Sequence, residues 1–296
     1  MSTLERDLAA FPRIDVRANG QRFAVRTAGD GDRLALFLHG FPEAWFSWRH
    51  QMPLLARMGY RVWAPDMRGY GDSDRPPRTR DYATDRLVDD VAGLIDASGS
   101  KDVTLIAHDW GGHVAWEFAS QGARPLSRLV CMNIGHPKVM RKALYTSSAQ
   151  RRKSWYIFFF QLPFLPEAQL AANDHAAIAA AFRGMAIDKS RFPKELLDLY
   201  RASAAKPGAL KAMLSYYRAG LRYASKRPHA KVIDTPSLLI WGEEDTALGT
   251  ELAEGTRACV RDLTLEYIPR CSHWVQQEQP EKVNAILEKW LTTPRP

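Results

Sequence analysis

The chain has 296 residues, 46% hydrophobic and 25% charged, an ordinary globular composition with enough length for one large domain, or one domain carrying an insertion. Its longest apolar runs, Leu34 to Leu38 and Trp155 to Phe160, fall far short of the about 20 residues that span a bilayer, and no basic segment followed by an apolar one opens the chain. The formal net charge of +8 is scattered, apart from Lys138, Arg141, Lys142, Arg151, Arg152 and Lys153, and no stacking or groove-reading motif accompanies it, which argues against nucleic acid as a partner.

Residues 13 to 26 alternate about Asn19-Gly20, a type I′ turn pair, so the chain opens with a hairpin. Leu34 to Leu38 predicts a buried strand running into His39-Gly40-Phe41-Pro42-Glu43, and helical spacing then runs from Trp45 to Met58. Arg61 to Asp66 is the next strand, ending in the glycine-rich loop Arg68 to Asp74. Leu87, Val88, Val91 and Ile95 place a helix over Thr84 to Ser98. Val103 to His108 is a short apolar run that stops at Asp109, and Val114 to Phe118 reads as the start of the following helix. Leu129 to Ile134 is again strand-like.

The rhythm then changes. From about Lys138 to about Tyr223 no strand-like run is bounded by turns, and Ala, Leu, Lys and aromatic residues dominate. The alternation returns with Ser237 to Gly242 and Leu263 to Pro269, and the chain closes on an amphipathic helix, Pro280 to Leu291. Strands alternating with helices predict an α/β fold: a mostly parallel central sheet with helices on both faces, interrupted by a helical insertion. The expected division is a core of residues 1–137 and 226–296 and a helical cap of 138–225.

In such sheets chemistry gathers at the carboxyl ends of the strands. Asp109 stands there on a tight strand-to-helix corner, with Ala107 two residues before it and Gly111 two after it. That is the small, any, nucleophile, any, small pattern, with Asp where an esterase carries Ser. The simpler reading is that Asp109 is only an N-cap for its helix. A carboxylate that attacks substrate carbon becomes an ester, and water must then be activated to cleave it, usually by a histidine backed by an acid. His273, in Cys271-Ser272-His273-Trp274, follows the last strand, and Asp245, in Trp241-Gly242-Glu243-Glu244-Asp245, follows the strand before it. Glu243 and Glu244 are alternatives for the acid. The order nucleophile, acid, histidine is that of the α/β-hydrolase triad. The backbone N–H groups of Phe41 and Trp110 are the expected oxyanion hole, and Phe41-Pro42 is expected to be cis.

These motifs together resemble the epoxide hydrolases of the α/β-hydrolase superfamily, over nearly the whole chain. The resemblance implies conversion of epoxides to vicinal diols through a covalent aspartyl ester, with no metal or organic cofactor. In that family two cap tyrosines hold the epoxide oxygen. The flanking Phe-Gln-x-Pro and Tyr-Arg match them to Tyr156 and Tyr217, which with Trp110 would bind substrate; Tyr216 is the alternative if the register differs by one. Haloalkane dehalogenases share the Asp nucleophile but commonly carry Asn or Trp directly after His-Gly, where this chain has Phe41; Trp155 could still serve there as a cap donor to halide. Fluoroacetate dehalogenases carry Arg after the nucleophile and an acid where this chain has Asn133. No Gly-x-Ser-x-Gly supports a serine esterase; Gly71-Asp72-Ser73-Asp74-Arg75 is the nearest approach. A non-catalytic ligand-binding protein of the same fold is the remaining reading.

The aromatic and aliphatic cap residues Phe158, Phe159, Phe160, Phe164 and Leu165 point to a small apolar epoxide as substrate, with water as co-substrate. Cys131, Cys259 and Cys271 form neither a Cys-x-x-Cys pair nor a zinc cluster, so a reducing cytoplasm is expected, without membrane insertion. A homodimer is left open.

Overall fold

The computed structural model describes residues 3–294. After helix α1 (Thr3–Ala9) comes the hairpin of β1 (Arg13–Ala18) and β2 (Gln21–Ala28), paired from Arg13↔Arg26 to Ala18↔Gln21. Its two-residue turn has positive φ at both positions, 48° at Asn19 and 70° at Gly20, as a type I′ turn requires.

β3 (Arg33–Leu38) follows, then the segment expected to be one helix, which is instead two pieces. Trp45–Trp48 forms a 3₁₀ turn and α2 spans Met52–Arg57. Pro53 explains the break, because its missing N–H is harmless in a first helical turn and costly in a helix interior. β4 (Tyr60–Pro65), α3 (Thr84–Ser98), β5 (Val103–His108), α4 (Asp109–Gln121) and β6 (Arg128–Met132) complete the first half.

α4 starts at Asp109, five residues before the apolar run that marked it in the sequence. Gly111 and Gly112 therefore lie inside the helix. A Cβ on Gly111 would stand 2.2 Å from the Leu38 carbonyl oxygen, so this glycine serves close approach between the helix and β3.

Between β6 and β7 (Ser237–Gly242) the described chain forms helices and turns and no further strand, with a single isolated bridge from Ile233 to Val260. The helices are α5 (Pro137–Thr146), α6 (Ser148–Lys153), α7 (Trp155–Phe159), α8 (Leu165–Met185), α9 (Lys194–Ala205) and α10 (Ala209–Arg222). α8 is kinked at Ala172–His175. The chain ends with α11 (Glu251–Thr256), β8 (Leu263–Ile268), α12 (Val275–Glu278) and α13 (Pro280–Thr292).

The eight strands form one sheet in the order β1-β2-β4-β3-β5-β6-β7-β8. β1 and β2 run antiparallel at one edge; β4, β3, β5, β6, β7 and β8 are parallel neighbours. Leu34 to Leu38 and Val103 to Ala107 are almost wholly buried, which is why these strands read as continuous apolar runs. The parallel ladder brings the ends of β3, β5, β6, β7 and β8 side by side, and the residues that follow those ends meet above the sheet. Among the described residues no helix is long and apolar enough to cross a membrane.

Candidate active site

Asp109 has φ 46°, a left-handed conformation uncommon for a side chain larger than glycine. The turn lifts its carboxylate off the strand toward the loop after β3. Room there depends on Gly40, where a Cβ would lie 2.5 Å from that of Asp109. Asp109 Oδ1 accepts the Phe41 backbone N–H at 2.8 Å, across the cis Phe41-Pro42 turn. The N-cap reading is thereby overturned: His108 occupies the cap position with extended backbone, and the Asp109 carboxylate takes its donor from another loop. Trp110 N–H lies in the first turn of α4, where N–H groups have no partner within the helix.

His273 stands between two carboxylates. Its Nδ1 is 2.6 Å from Asp245 Oδ2 and its Nε2 is 3.6 Å from Asp109 Oδ2. Glu243 and Glu244 are exposed, whereas Asp245 is buried, which separates the three acids of that loop. Asp245 Oδ1 accepts the amides of Ala247 and Leu248, and Oδ2 also accepts the Asn133 amide at 2.8 Å. Burial by itself would raise the Asp245 pKa, but the charge and hydrogen bond of His273, with Asn133 and the Leu248 amide, hold it below the usual carboxylate range. Asp109 is lowered too: burial opposes ionisation, and His273, His108 and the Phe41 amide outweigh it. Burial would lower His273, yet Asp245 and Asp109 raise it to about 10.

Above this group lies an aromatic cluster. Tyr156 on α7 and Tyr217 on α10 meet edge to face with centroids 5.9 Å apart, and Tyr217 also packs on Trp110 (5.0 Å), Phe160 (4.9 Å) and Phe41 (5.2 Å). Burial and the nearby Asp109 charge push both phenols well above their ordinary pKa, keeping them neutral donors. The flanking residues tie the two helices together. Gln161 Nε2 donates to the Tyr217 carbonyl at 3.2 Å, and Arg218 donates to the carbonyls of Phe160 and Leu162 while pairing with Glu167.

Tyr216 turns away: its hydroxyl donates to the Arg68 carbonyl at 2.7 Å. Trp155 also lies elsewhere, 59% exposed and packed on Phe159. Phe158, Phe164 and Leu165, expected with Phe159 and Phe160 to favour an apolar substrate, are exposed as well, and of those five only Phe159 and Phe160 join the aromatic cluster over the site.

Several buried residues gain a place here that the sequence reading did not give them. Glu43, fully buried, accepts Gly40 N–H at 2.7 Å, His108 Nδ1 at 2.7 Å, and the amides of Gln276 and Gln277 at 2.8 Å each. Burial opposes its ionisation, but His108 and the Gly40 amide lower its pKa. The other nitrogen of His108, Nε2, lies 2.9 Å from the His273 carbonyl, so the ring bridges Glu43 and the loop of the catalytic histidine candidate. Glu278 accepts Ser272 N–H and, from the helical segment, the amides of Ile187 and Asp188. Glu43 closes the His-Gly-Phe-Pro-Glu motif three residues after Gly40, a spacing that could have pointed to it. Nothing local marks Gln276, Gln277 or Glu278 as buried.

A family model described as alpha/beta hydrolase fold matches residues 36–280. Epoxide hydrolase 1 of Caenorhabditis elegans is 40% identical over 271 residues, covering 90% of this chain and 67% of that protein. AB hydrolase superfamily protein YfhM of Bacillus subtilis is 40% identical over 277 residues, covering 93% and 96%. Among solved structures, that of Bacillus megaterium epoxide hydrolase in complex with an inhibitor superposes with a TM-score of 0.87 at 27% identity, covering 95% of this chain and all of that one. With an eight-stranded, mostly parallel sheet and the strand-end cluster just described, the chain belongs to the α/β-hydrolase fold family. Within that family its place is among the epoxide hydrolases.

Proposed function

We propose that this protein opens small apolar epoxides to vicinal diols in two steps joined by an ester of Asp109. What supports the reading is one relationship: Asp109, hydrogen-bonded to the Phe41 amide and in reach of His273, lies beneath two neutral phenols that touch ring to ring. In the first step an Asp109 oxygen attacks an epoxide carbon and the carbon–oxygen bond of the ring breaks. Tyr156 and Tyr217 bind the departing oxygen and protonate it, and the proton is replaced from the His273 imidazolium. The products are a hydroxyalkyl ester and neutral His273.

Esterification also removes the Asp109 negative charge, one of the influences that raise His273. The imidazole can then accept a proton from water while hydroxide attacks the ester carbonyl, with the Phe41 and Trp110 amides on the oxyanion. Collapse releases the diol, the leaving alkoxide taking the remaining proton. Carboxylate and imidazolium are restored, and one water is consumed per turnover. Asp245 orients the histidine; neither a metal nor an organic cofactor enters the scheme.

In this proposal residues 138–225 act as a cap over a core of 1–137 and 226–296, supplying the phenols while the core supplies nucleophile, base and amides. The three cysteines, free and buried, support the cytoplasmic setting assumed for it. The test is incubation with styrene oxide, assayed for diol, beside 1-bromobutane, assayed for halide. Diol without halide is the expected result; halide without diol overturns the reading. A single turnover in ¹⁸O-labelled water should place label in Asp109, and label found only in the diol would exclude the ester.

A further inference from the structure

The stretch from Lys138 to Pro166 carries six basic residues and no acidic one. Lys138, Arg141, Lys142, Arg151 and Arg152 are exposed and Lys153 half-buried. No ion pair joins any of the six to a carboxylate among the described residues; Lys153 donates to the Asp245 carbonyl, and Arg151 to the carbonyls of Leu144 and Tyr145. The same stretch holds most of the large apolar side chains this protein leaves exposed. Phe164 is 84% and Tyr145 80% exposed, and Trp155, Phe158, Leu162 and Leu165 accompany them. Five of these six lie within residues 155–165, on α7, the turn after it and the first residue of α8.

Each half of this combination has an ordinary explanation alone. Exposed apolar residues scattered singly need none, and an unpaired lysine is a solvated surface charge. Together in 29 successive residues they are not scattered, and the uncompensated charge identifies what would cover them. A protein partner could bury the aromatics, but a second copy of this surface would set two strongly basic faces against each other. An anionic bilayer surface answers both features: the aromatics enter the headgroup and acyl boundary while the basic residues meet lipid phosphates. With no spanning helix among the described residues, the contact would lie on the membrane.

We propose that the face formed by α5, α6, α7 and the start of α8 docks reversibly on anionic lipid bilayers. The contact places α7, which carries Tyr156, beside a phase in which apolar epoxides concentrate; that benefit rests on the proposed function, whereas docking itself does not.

The test uses the full chain with sedimented vesicles of phosphatidylcholine alone and of phosphatidylcholine containing about 30% phosphatidylglycerol, at low and at high salt. Cosedimentation with the anionic vesicles only, lost at high salt, is expected. The double variant Lys142→Glu/Arg152→Glu should weaken that partitioning by more than about tenfold, and Phe164→Ser should weaken it separately. Turnover of a water-soluble epoxide should stay unchanged in both, showing that they fold; if the protein has no such activity, an unchanged thermal midpoint serves instead. Absence of anionic-vesicle binding, or binding indifferent to both variants, overturns the proposal. So does a stable dimer by light scattering that Phe164→Ser dissolves, since that would assign the face to a second copy.

Discussion

His273 Nε2 lies 3.6 Å from Asp109 Oδ2, while the opposite nitrogen of the same ring is bonded to Asp245. A cation held between two carboxylates is a stable resting arrangement, and it becomes a base only when one negative charge is removed. Ester formation at Asp109 would do that, so the first chemical step would prepare the catalyst for the second.

His273→Gln should therefore leave ester formation possible and stop its hydrolysis. Mixing this variant with styrene oxide is expected to add one substrate mass to the protein, on the peptide containing Asp109. Asp109→Ala should show no adduct and no turnover. An unmodified His273→Gln protein would count against the two-step scheme.

The same arrangement makes stability depend on pH. Unfolded histidine titrates near about 6.5, whereas burial, outweighed by Asp245 and Asp109, leaves His273 at about 10 in the fold. Between these values the folded protein binds a proton that the unfolded chain does not. The stabilisation is thus fully present below about pH 6.5 and is lost as pH rises through about 10. Urea midpoints should fall across that window in the wild type, and fall less in His273→Gln.

The two adjacent tyrosines of α10 should separate cleanly. Tyr217→Phe, removing one of the two proposed proton donors, should slow ester formation by at least about tenfold in stopped-flow traces. Tyr216→Phe leaves the buried Arg68 carbonyl without its donor and should cost about 1–3 kcal/mol of stability with little change in turnover. Equal kinetic effects would defeat the assignment.

Glu278 joins the helical segment to the loop carrying His273, accepting amides from Ile187, Asp188 and Ser272. Glu278→Ala strands the buried Ser272 amide and removes the acceptor of the part-buried Ile187 and Asp188 amides, so its thermal midpoint should drop by the equivalent of about 1–3 kcal/mol. Glu278→Gln keeps one acceptor oxygen and should recover part of that loss. Because Ser272 immediately precedes His273, ester hydrolysis should slow more than ester formation in both variants.

Much of this protein was legible locally. The Asn19-Gly20 turn, the Thr84–Ser98 helix, the apolar strands and the elbow around Asp109 rest on neighbours in sequence, because turn chemistry and periodic apolar residues act over a few positions. The order of strand-end motifs was enough to nominate Asp109, Asp245 and His273, since parallel strands deliver their carboxyl ends to one place. Local patterns failed where a remote contact took over. Gly111 read as a small residue of the turn ahead of the helix and proves to lie inside α4, at the point where the helix meets the Leu38 carbonyl; Trp45 to Met58 kept helical spacing across a proline that restarts the helix.

What the sequence by itself determined, then, was the kind of fold and the cluster of residues at its strand ends. Only the tertiary structure decided among neighbours: Asp245 over Glu243 and Glu244 because it alone of the three is buried against His273, and Tyr217 over Tyr216 because Arg68, 148 residues away in sequence, takes the Tyr216 hydroxyl. It also revealed Glu43 and Glu278 as buried acids that gather donors from distant chain, His108, Gln276 and Gln277 for the one and the amides of Ile187 and Asp188 for the other, beside a single near neighbour each. Adjacent residues share their local signals, and a buried polar group is recognised by its partners; both distinctions are made by contacts that exist only once the chain has folded.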